Sequence, residues 1–481
     1  MNDTSTAMRA EASARLSSLF LGILARGGVT FEEFEGLAIA EGNALIAAAM
    51  GMALELFDGE CCGSLPSGQR VHDRRERQLA TEVGDVRFKC RRVRDEHGNT
   101  VVPLADALDL PWGCRVSPRA RSFLVEAGAE ISYQRAADLL ARNGSRVSAE
   151  TVMRAVHGAG LMCAEEDWGS ARSLFADGVA PDADGAAKTV LVEADGTSFR
   201  LQGQPEGGPA RVEVKALVAY ESKAAEGGKT VRVRPVRHGC VGPAPAFWAE
   251  GVAAIGSRFD LSKVEKVHLG TDGEGWCKSG GKYFRGIDVE GHLDVFHVDN
   301  AVLGCFADAR AAWQVIGVAL DGDGAAAAAL LEAMRDLGLA RDTEHTARTI
   351  AYLRNNADII GSEGPSLGTM EAENQHVYGS RMDSVPCAWS AAGADSMARI
   401  RSRKASGRPL PRTTRAMSAT RRRVRRREDR IAASLYPQGA GKLVESVGKG
   451  YLPPHQASVA GMAADVRFAA GLDSGMIPVA R

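Results

Sequence analysis

Three acidic residues lie in sequence settings that suit metal-dependent chemistry on phosphodiesters. Asp195 and Asp272 each follow an apolar, β-prone run and precede a glycine, and Glu371 lies in a polar stretch with helical character. Two aspartates at strand ends and one glutamate on a helix can converge to hold two divalent ions, which position the nucleophile and stabilise the transition state. Magnesium takes few carboxylate ligands and keeps waters and substrate oxygens, so three carboxylates suffice. Mg2+ or Mn2+ is therefore the expected cofactor.

Each of these acids also has a simpler explanation. Asp-Gly pairs are common in turns, and a glutamate early in a helix is favoured by the helix dipole. Glu373 competes with Glu371 for the same role and would face a different side of the helix. Asp294 and Asp299 are further metal-ligand candidates of lower rank. The catalytic interpretation therefore depends on all three acids meeting in one pocket.

Other residues near the acids are candidates for binding DNA or for packing. His297 follows an apolar run and is a candidate for contact with phosphate or with the active site, with a structural role as the alternative. Arg381 lies ten residues after Glu371, so both would fall on nearly the same side of one helix. Such an arginine can bind the DNA backbone or orient a carboxylate. Trp276 and Trp389 are expected to pack, with base stacking as the alternative.

The charge of the chain is balanced overall but uneven along its length. Its 481 residues predict two to four domains, and 45% hydrophobic with 25% charged residues are typical of a soluble globular protein. The net charge is −1, yet basic residues crowd between Arg399 and Arg430. This segment predicts a polyanionic partner, and a solvated, disordered arm is the alternative. The candidate DNA contacts within it are Arg421, Arg422 and Arg423.

Cysteine usage and the N-terminal sequence favour a cytoplasmic protein. The nine cysteines are scattered and none forms a CxxC pair, so a structural zinc site is not expected. An odd count without a framework pattern fits reduced thiols in a cytosol. The first residues lack the basic start and long apolar core of a signal peptide. We also expect no run long enough to cross a bilayer and no membrane partner.

The N-terminal third predicts a helical region followed by a DNA-binding region. Apolar residues recur at helical spacing in residues 1–60, which predicts a helical region over 1–75. Residues 86–93 and 100–103 flank a Gly-bearing loop, which predicts a β-hairpin that carries several arginines. Residues 76–165 are predicted to bind DNA through this hairpin and the helices that follow.

A helix-turn-helix pattern follows the predicted hairpin. Ser132 can cap a helix that runs through Ala141, and Asn143-Gly144 tolerate the left-handed geometry that ends it. Ser148 can cap a second helix over residues 149–157. Many proteins read DNA with this arrangement, although a plain helical hairpin has the same pattern. The second helix would present four residues to a DNA groove: Glu150, Thr151, Arg154 and His157.

The rest of the chain predicts a second domain of mixed α/β class. Residues 166–188 are rich in Asp, Gly, Ala and Pro, which indicates a linker. Residues 189–398 then predict three antiparallel strands, a helix, a strand and a further strand, which is the order of the ribonuclease H-like fold. A helical insertion at about 300–360 would precede the helix with Glu371, and residues 399–481 would form a basic tail. The predicted strands cover 189–193, 198–202, 212–221, 230–234, 264–269 and 292–298, and the helix covers 245–259.

Taken together, these segments resemble bacterial insertion-sequence transposases of the DDE type, notably the ISLre-type and ISKra-type groups. The resemblance extends from about Arg77 to about Arg401. The segments that carry it are TEVGDVRFKCRRVRD, ISYQRAADLL, VSAETVMRAV, VLVEADGTSFRLQ, VEVKALVAYE, HLGTDGEGWCKSG, DVFHVDN and EAENQHVYGSRMDSVPCAWSAAGADSMARIRS.

The resemblance implies a role for each of the three acids. In that family the first Asp follows a hydrophobic strand and precedes Gly, as Asp195 does, and the second lies in a D-G-x-x-W setting, as Asp272 does. The family's glutamate begins a stretch that ends in an arginine ten positions later. That spacing matches Glu371 with Arg381 and favours Glu371 over Glu373.

The expected function is DNA transposition. The enzyme would cleave the ends of its own element, leave a 3′-hydroxyl and join that hydroxyl to target DNA at one metal site. The expected partners are terminal inverted repeats, target DNA and further copies of the chain assembled on DNA. The expected location is the bacterial cytoplasm, in association with the nucleoid. The alternatives are a non-catalytic DNA-binding protein, such as a repressor or an inactive transposase remnant, and a structure-specific nuclease.

Overall fold

A computed structural model describes most of the chain between residues 3 and 411. The described residues are 3–63, 65–110, 113–202, 210–361, 364–365, 367–383 and 387–411. They divide into two units, which meet in sequence between Ala159 and Gly160. The predicted tail beyond residue 411, with Arg421, Arg422 and Arg423, lies outside the described residues.

The first unit combines helices with a small antiparallel sheet of order β1-β2-β3. Helix α2 packs closely on β2 at Gly51. A side chain at this position would not fit, because its Cβ would overlap the carbonyl oxygen of Arg87. Asp58 of α2 is fully buried and pairs with the guanidinium of Arg91 at 2.8 Å. In chain order the elements are α1 (Asp3–Leu24), α2 (Phe31–Gly63), β1 (Arg70–Thr81), β2 (Gly84–Arg94), β3 (Thr100–Val101), α3 (Pro103–Ala107), α4 (Pro118–Gly128), α5 (Tyr133–Ala141) and the first part of α6 (Ala149–Phe175).

Helix α2 differs from the expectation that no run could cross a bilayer. By length and composition alone, its 33 residues are long and apolar enough to do so. The acids of α2 lie towards its two ends and leave the middle uncharged. Core helices of soluble proteins and signal sequences near an N-terminus share the same property, so the feature is weak evidence for a membrane span.

The predicted β-hairpin is present, because β2 pairs with β3 across the loop 95–99, but β2 has a second and longer partner. Strand β2 pairs along its length with β1, from Arg70↔Arg94 to Thr81↔Gly84, whereas the predicted partner 100–103 contributes only the short strand β3. Strand β1 escaped prediction because most of its residues are charged or polar. An ion pair between Asp73 and Arg92 crosses the two strands, so part of this charge is neutralised by the sheet itself.

Both helices of the predicted helix-turn-helix are present, with the predicted caps. Ser132 Oγ accepts a hydrogen bond from the backbone N–H of Arg135 at 3.3 Å and caps α5. Ser148 Oγ accepts from the backbone N–H of Thr151 at 3.2 Å at the start of α6. Helix α6 does not end near residue 157 but continues to Phe175. The predicted linker 166–188 is therefore helical in its first part.

The second unit is built on a five-stranded mixed sheet of order β10-β9-β4-β5-β8. Strand β4 is parallel to β9, and β9 is parallel to β10, while β5 is antiparallel to both β4 and β8. The strands are β4 (Thr189–Arg200), β5 (Arg211–Tyr220), β6 (Ser222–Glu226), β7 (Lys229–Val233), β8 (Val236–Cys240), β9 (Lys266–Thr271) and β10 (Asp288–Leu293).

Helices cover the sheet and form a separate block. The α-helices are α7 (Ala244–Arg258), α8 (Gly275–Lys278), α9 (Val295–Leu303), α10 (Ala309–Leu320), α11 (Gly324–Asp336), α12 (Glu344–Asn355), α13 (Met370–Glu373), α14 (Ser380–Met382) and α15 (Ala391–Ala405). A 3-10 turn follows α8 at Ser279–Tyr283, and a π-helical turn follows α13 at Asn374–Gly379. One apolar core includes Val192 and Val267 of the sheet with Trp248 of α7. A second core lies within α9–α12, which we call the helical block.

Two strand predictions in the sheet require correction. The predicted strands 189–193 and 198–202 are one strand, β4, so Asp195 lies within a strand rather than at its end. The Asp-Gly pair does not form a turn there, because Asp195 and Gly196 pair with Ala216 and Lys215 of β5. The predicted strand 230–234 belongs to the small β6–β7 hairpin, and the third strand of the antiparallel set is β8.

The predicted strand 292–298 is also wrong in its second half. Strand β10 stops at Leu293, and α9 begins at Val295. Asp294 is the helix N-cap, because its carboxylate accepts a hydrogen bond from the backbone N–H of Phe296 at 3.0 Å. A short apolar run fits either a strand or a buried helix, so periodicity could not separate the two. His297 therefore lies on a helix.

The start of the predicted basic tail is a buried helix, α15. Its Arg399 and Arg403 are 3% and 4% exposed. Each pairs with Asp167 of α6, at 2.8 Å and 2.7 Å. Burial opposes ionisation of Asp167, but the two guanidinium groups hold its pKa well below its usual range. Residues 399–405 and the first part of the predicted linker are therefore held together in the second unit.

Candidate active site

Three aspartates occupy equivalent positions along three neighbouring parallel strands of the second unit, Asp195 within β4 and the other two directly after β9 and β10. Ala194 of β4 and Leu293 of β10 both pair in register with Thr271 of β9. Neighbouring strands lie about 4.8 Å apart, so the next residue of each strand also lies beside its counterparts. In all three strands that next residue is acidic: Asp195, Asp272 and Asp294. We call this set the aspartate row.

Asp195 is held in an environment that opposes its ionisation. Its carboxylate accepts hydrogen bonds from the backbone N–H of Gly196 at 2.7 Å and from Nδ2 of Asn374 at 2.8 Å. Burial raises the pKa of Asp195 to about 6, and the negative charge of Asp272 adds to the rise. A divalent cation would relieve both effects, because its charge offsets the repulsion between the two carboxylates.

The helical block fixes the position of Asp272. The hydroxyl of Tyr352 on α12 donates to the backbone carbonyl of Asp272 at 3.0 Å. Gly273 follows with a φ of 92°, a left-handed conformation that disfavours L side chains. A Cβ at Gly273 would also lie 2.9 Å from the ring of Tyr352. The Asp-Gly pair therefore forms the turn that the simpler explanation expects, and that turn holds Asp272 beside Asp195.

Asp294, which the sequence predicts as a metal-ligand candidate of lower rank, lies beside the other two aspartates. Its backbone N–H donates to the carbonyl of Thr271 at 2.8 Å. After burial, its negative charge is among the causes that raise the pKa of Asp195. His297, the predicted auxiliary residue, has its Nε2 3.9 Å from Asp294 Oδ2 and so belongs to the same cluster. Asp299, the other low-ranked acid, has a pKa raised first by burial and then by the charge of Asp294.

The segment that carries Glu371 is fixed to β4 at two points. Glu193 of β4 accepts hydrogen bonds from the backbone N–H and the hydroxyl of Thr369, each at 2.6 Å. Asn374 bonds to Asp195, two residues further along β4. Glu371 lies between these anchors on α13 and has an exposed side chain. Among the described residues no hydrogen bond or ion pair involves the Glu371 carboxylate, so this group is available.

Glu373, the rival of Glu371, is neutralised by two arginines. Its carboxylate pairs with Arg237 at 2.6 Å and also with Arg232, and its side chain is 8% exposed. A carboxylate that is buried between two guanidinium groups is a poor metal ligand, because its charge and lone pairs are already engaged. Of the two glutamates, only Glu371 retains a free carboxylate.

Arg381 does not lie where the helix spacing predicted. The π-helical turn at Asn374–Gly379 separates it from Glu371 and changes the phase of the residues on either side. Arg381 is 6% exposed, and its guanidinium carbon lies 5.0 Å from the centroid of the Trp389 ring. This buried stacking contradicts a contact with the DNA backbone. Trp389 is itself buried, as the packing interpretation predicted.

The predicted DNA-contacting residues of α6 differ in exposure. Arg154 is exposed and pairs with Glu150 one turn earlier. The hydroxyl of Thr151 lies 3.0 Å from that of Ser148 and is part of the helix cap. Burial lowers the pKa of His157, which disfavours a charged contact with phosphate. Arg154 is therefore the residue of this set that is best suited to meet nucleic acid.

The sequence predicts no role for Asn374, which bonds to Asp195, and gives Asp294 a lower rank although it lies beside Asp272. Asp294 carried the same signal as the other two aspartates, an acid directly after an apolar run, but the misread strand 292–298 concealed it. Nothing in the sequence distinguishes Asn374 from a surface residue, because a polar residue in a helical stretch is typical of a surface position. The resulting donor set consists of carboxylates, the ligands that magnesium and manganese prefer.

The chain matches one protein family over most of its length. The profile described as "Uncharacterised protein family (UPF0236)" covers residues 28–416. The chain therefore belongs to this family.

Similar proteins occur in Caldanaerobacter subterraneus subsp. tengcongensis. One UPF0236 protein is 22% identical over 342 residues, which cover 69% of this chain and 68% of the relative. A second is also 22% identical over 342 residues, but the match covers 64% of its length. A third is 21% identical over 342 residues, and its name joins eleven gene designations.

Proposed function

We propose that this member of the UPF0236 family is a DNA transposase of an insertion sequence, with Asp195, Asp272 and Glu371 as its catalytic metal ligands. The observation that carries this proposal is the aspartate row, combined with the two anchors that hold the Glu371 segment to β4. Together they bring carboxylates from three distant parts of the sequence to one region of the sheet.

The order of the strands supports a ribonuclease H-like catalytic domain. Strands β4, β5 and β8 are three successive antiparallel neighbours in the sheet, and α7 then leads to β9 and β10 on the other side of β4. This is the order of elements that the sequence predicts for such a domain. The helical block follows β10, as expected for an insertion before the segment with Glu371.

The residues of the site suit phosphodiester chemistry. When bound, divalent cations would supply positive charge that stabilises the pentavalent transition state. Asp195 and Asp272 would hold these cations from the sheet, and Glu371 would do so from α13. Asp294 adds negative charge beside them, and His297 lies near enough to Asp294 to orient it. Burial and then the charge of Asp272 raise the pKa of Asp195, and a bound cation would offset both effects.

The names of the relatives support the view that genes of this family move within a genome. A protein name that joins eleven gene designations in one strain indicates that near-identical genes occur at many positions of that genome. An insertion sequence that copies or moves its own gene produces this distribution. A repressor or a housekeeping nuclease gives no reason for it.

DNA recognition belongs to the first unit in this proposal. The α5–α6 pair would read the terminal inverted repeats, with Arg154 near the start of α6 in contact with the duplex. Because two element ends are processed together, the active form would be a homo-oligomer on DNA. Its place of action would be the bacterial cytoplasm, at the nucleoid.

The test uses the DNA that flanks this reading frame. Purified full-length chain is incubated with labelled fragments of both flanks and a target plasmid in Mg2+ or Mn2+, and nicked and joined products are separated on denaturing gels. We expect cleavage at the element ends and insertion into the plasmid. The variants Asp272→Asn and Glu371→Gln should lose both reactions while they keep DNA binding. Asp336→Asn is the matched control, because Asp336 is 65% exposed on α11 and pairs with its neighbour Arg335.

The outcomes separate the proposal from its rivals. Equal yields of nicked and joined DNA from the wild type and from Asp272→Asn would show that Asp272 has no catalytic role. Specific binding of the flanks without cleavage in either metal would favour a non-catalytic DNA-binding protein. Cleavage that never leads to insertion would favour a structure-specific nuclease.

A further inference from the structure

A cluster of metal-ligating side chains lies on β9 and β10, apart from the aspartate row. Within the part of the chain that the structure describes, His268, Glu290 and His292 have ligand atoms that all lie within 4.8 Å of one another. Nδ1 of His268 lies 2.9 Å from Nε2 of His292 and 3.6 Å from Oε2 of Glu290. We call these three residues the histidine cluster.

The sheet register assembles the histidine cluster. His268 pairs with Glu290 in the parallel register of β9 and β10. His292 is two residues further along β10, so the side chains of Glu290 and His292 lie on the same face of the sheet. His292 is 7% exposed, and the side chains of His268 and Glu290 are 13% and 32% exposed. Gly364 lies directly against the His292 ring, where a Cβ would overlap it. Two sheltered imidazoles therefore meet a carboxylate that keeps access to solvent.

We propose that the histidine cluster binds a zinc ion. Two imidazole nitrogens and one carboxylate are a common zinc ligand set, with the fourth position left for water. Magnesium prefers oxygen ligands, so it should favour the aspartate row over this cluster. The sequence gives little indication of this site, because it contains no CxxC pair. His268 lies 24 residues before His292, and Glu290 lies two residues before it.

The alternative to zinc is a set of ordinary polar contacts. In the metal-free chain one imidazole donates a hydrogen bond to the other, and Lys266 pairs with Glu290 at 2.6 Å. Burial lowers the pKa of His268. A neutral imidazole is the form that binds metal.

A zinc ion here would tie the strands that carry two members of the aspartate row. His268 lies four residues before Asp272, which is about 13 Å along a strand at about 3.3 Å per residue, and His292 lies two residues before Asp294. The zinc ion would therefore act on the row through the backbone, by fixing β10 against β9. The zinc site itself does not depend on the proposed transposase activity.

The test measures zinc binding to the purified full chain without DNA. The protein is stripped with a chelator and titrated with Zn2+ by calorimetry near neutral pH. We expect saturable binding of a single ion per chain, and its loss in His268→Ala and His292→Ala. The variants Asp195→Asn and Asp272→Asn should bind zinc normally. His97→Ala is the matched control, because the His97 side chain is 75% exposed in the first unit.

A second measurement does not depend on how well the variants fold. Cobalt(II) bound to the wild type should give visible bands of nitrogen and oxygen ligands without a near-ultraviolet thiolate band. A thiolate band would overturn the proposal, because it would assign the ion to cysteine. Absence of saturable binding to the wild type, or binding that survives both histidine substitutions, would also overturn it. Loss of zinc in the aspartate variants would assign the ion to the aspartate row instead.

Discussion

Replacing Asp195 with asparagine is expected to stabilise the metal-free protein near pH 8 while it removes activity. Burial and then the charge of Asp272 raise the pKa of Asp195 from 3.8 to about 6. At about 1.4 kcal/mol per pKa unit, the ionised carboxylate lowers the free energy of unfolding by about 3 kcal/mol. Asparagine avoids this cost but loses one of two accepted hydrogen bonds, worth about 1 kcal/mol. The net gain should be about 1–2 kcal/mol.

The gain in the free energy of unfolding from Asp195→Asn should shrink as the pH falls. In the unfolded chain the carboxyl loses its proton near 3.8, whereas in the folded chain it keeps the proton to about 6. The folded state therefore binds more protons in this window, and wild-type stability falls as pH rises through it. Below about pH 4 both side chains are neutral, and the lost hydrogen bond should leave the variant slightly less stable than the wild type.

Urea denaturation at about pH 4 and about pH 8 in a chelator tests this reasoning. Tryptophan fluorescence reports on the second unit, which contains Trp248 and Trp276. The matched control Asp336→Asn should show no pH-dependent difference from the wild type. Adding Mg2+ at the higher pH should stabilise the wild type and not the Asp195 variant. A variant that is destabilised equally at both pH values would refute the assigned environment of Asp195.

Three further changes have defined outcomes. Arg399→Met removes a buried cation 2.8 Å from Asp167 and should lower the free energy of unfolding by about 3–5 kcal/mol; an unchanged urea midpoint would contradict the buried pairing. Gly280→Val would force a side chain into the ring of Trp248 and should cost about 1–3 kcal/mol, with a change in tryptophan fluorescence. Arg154→Ala should weaken DNA binding and reduce its salt slope by about 1 in fluorescence anisotropy; an unchanged slope would remove α6 from the phosphate contacts.

Features whose causes are local in sequence could be predicted. Ser132 and Ser148 cap their helices through hydrogen bonds to residues three positions away, so the sequence contains both partners. Asp195 and Asp272 each follow a run of apolar strand residues that lies next to them in sequence. The position of Asp272 could be anticipated because the glycine after it favours a turn. For Asp195 the following glycine wrongly suggested a turn, because Asp195 and Gly196 both continue the pairing of β4 with β5.

Features that depend on distant partners could not be predicted. Arg399 and Arg403 lie in a basic run that suggests a solvated arm, but Asp167 neutralises both from more than 230 residues away. The charged strand β1 is stabilised by its pairing with β2, which no local pattern indicates. The π-helical turn after α13 shifted Arg381 into the interior, against the simple periodicity of a helix.

The helical block explains why two members of the aspartate row sit outside regular strands. Asp272 begins a turn held by Tyr352 of α12, and Asp294 caps α9. Both acids are therefore fixed by the helical block at the points where β9 and β10 end. Asp195 is fixed instead by the sheet and by Asn374. In the proposed catalytic domain, these contacts would give the helical block a role in positioning the site.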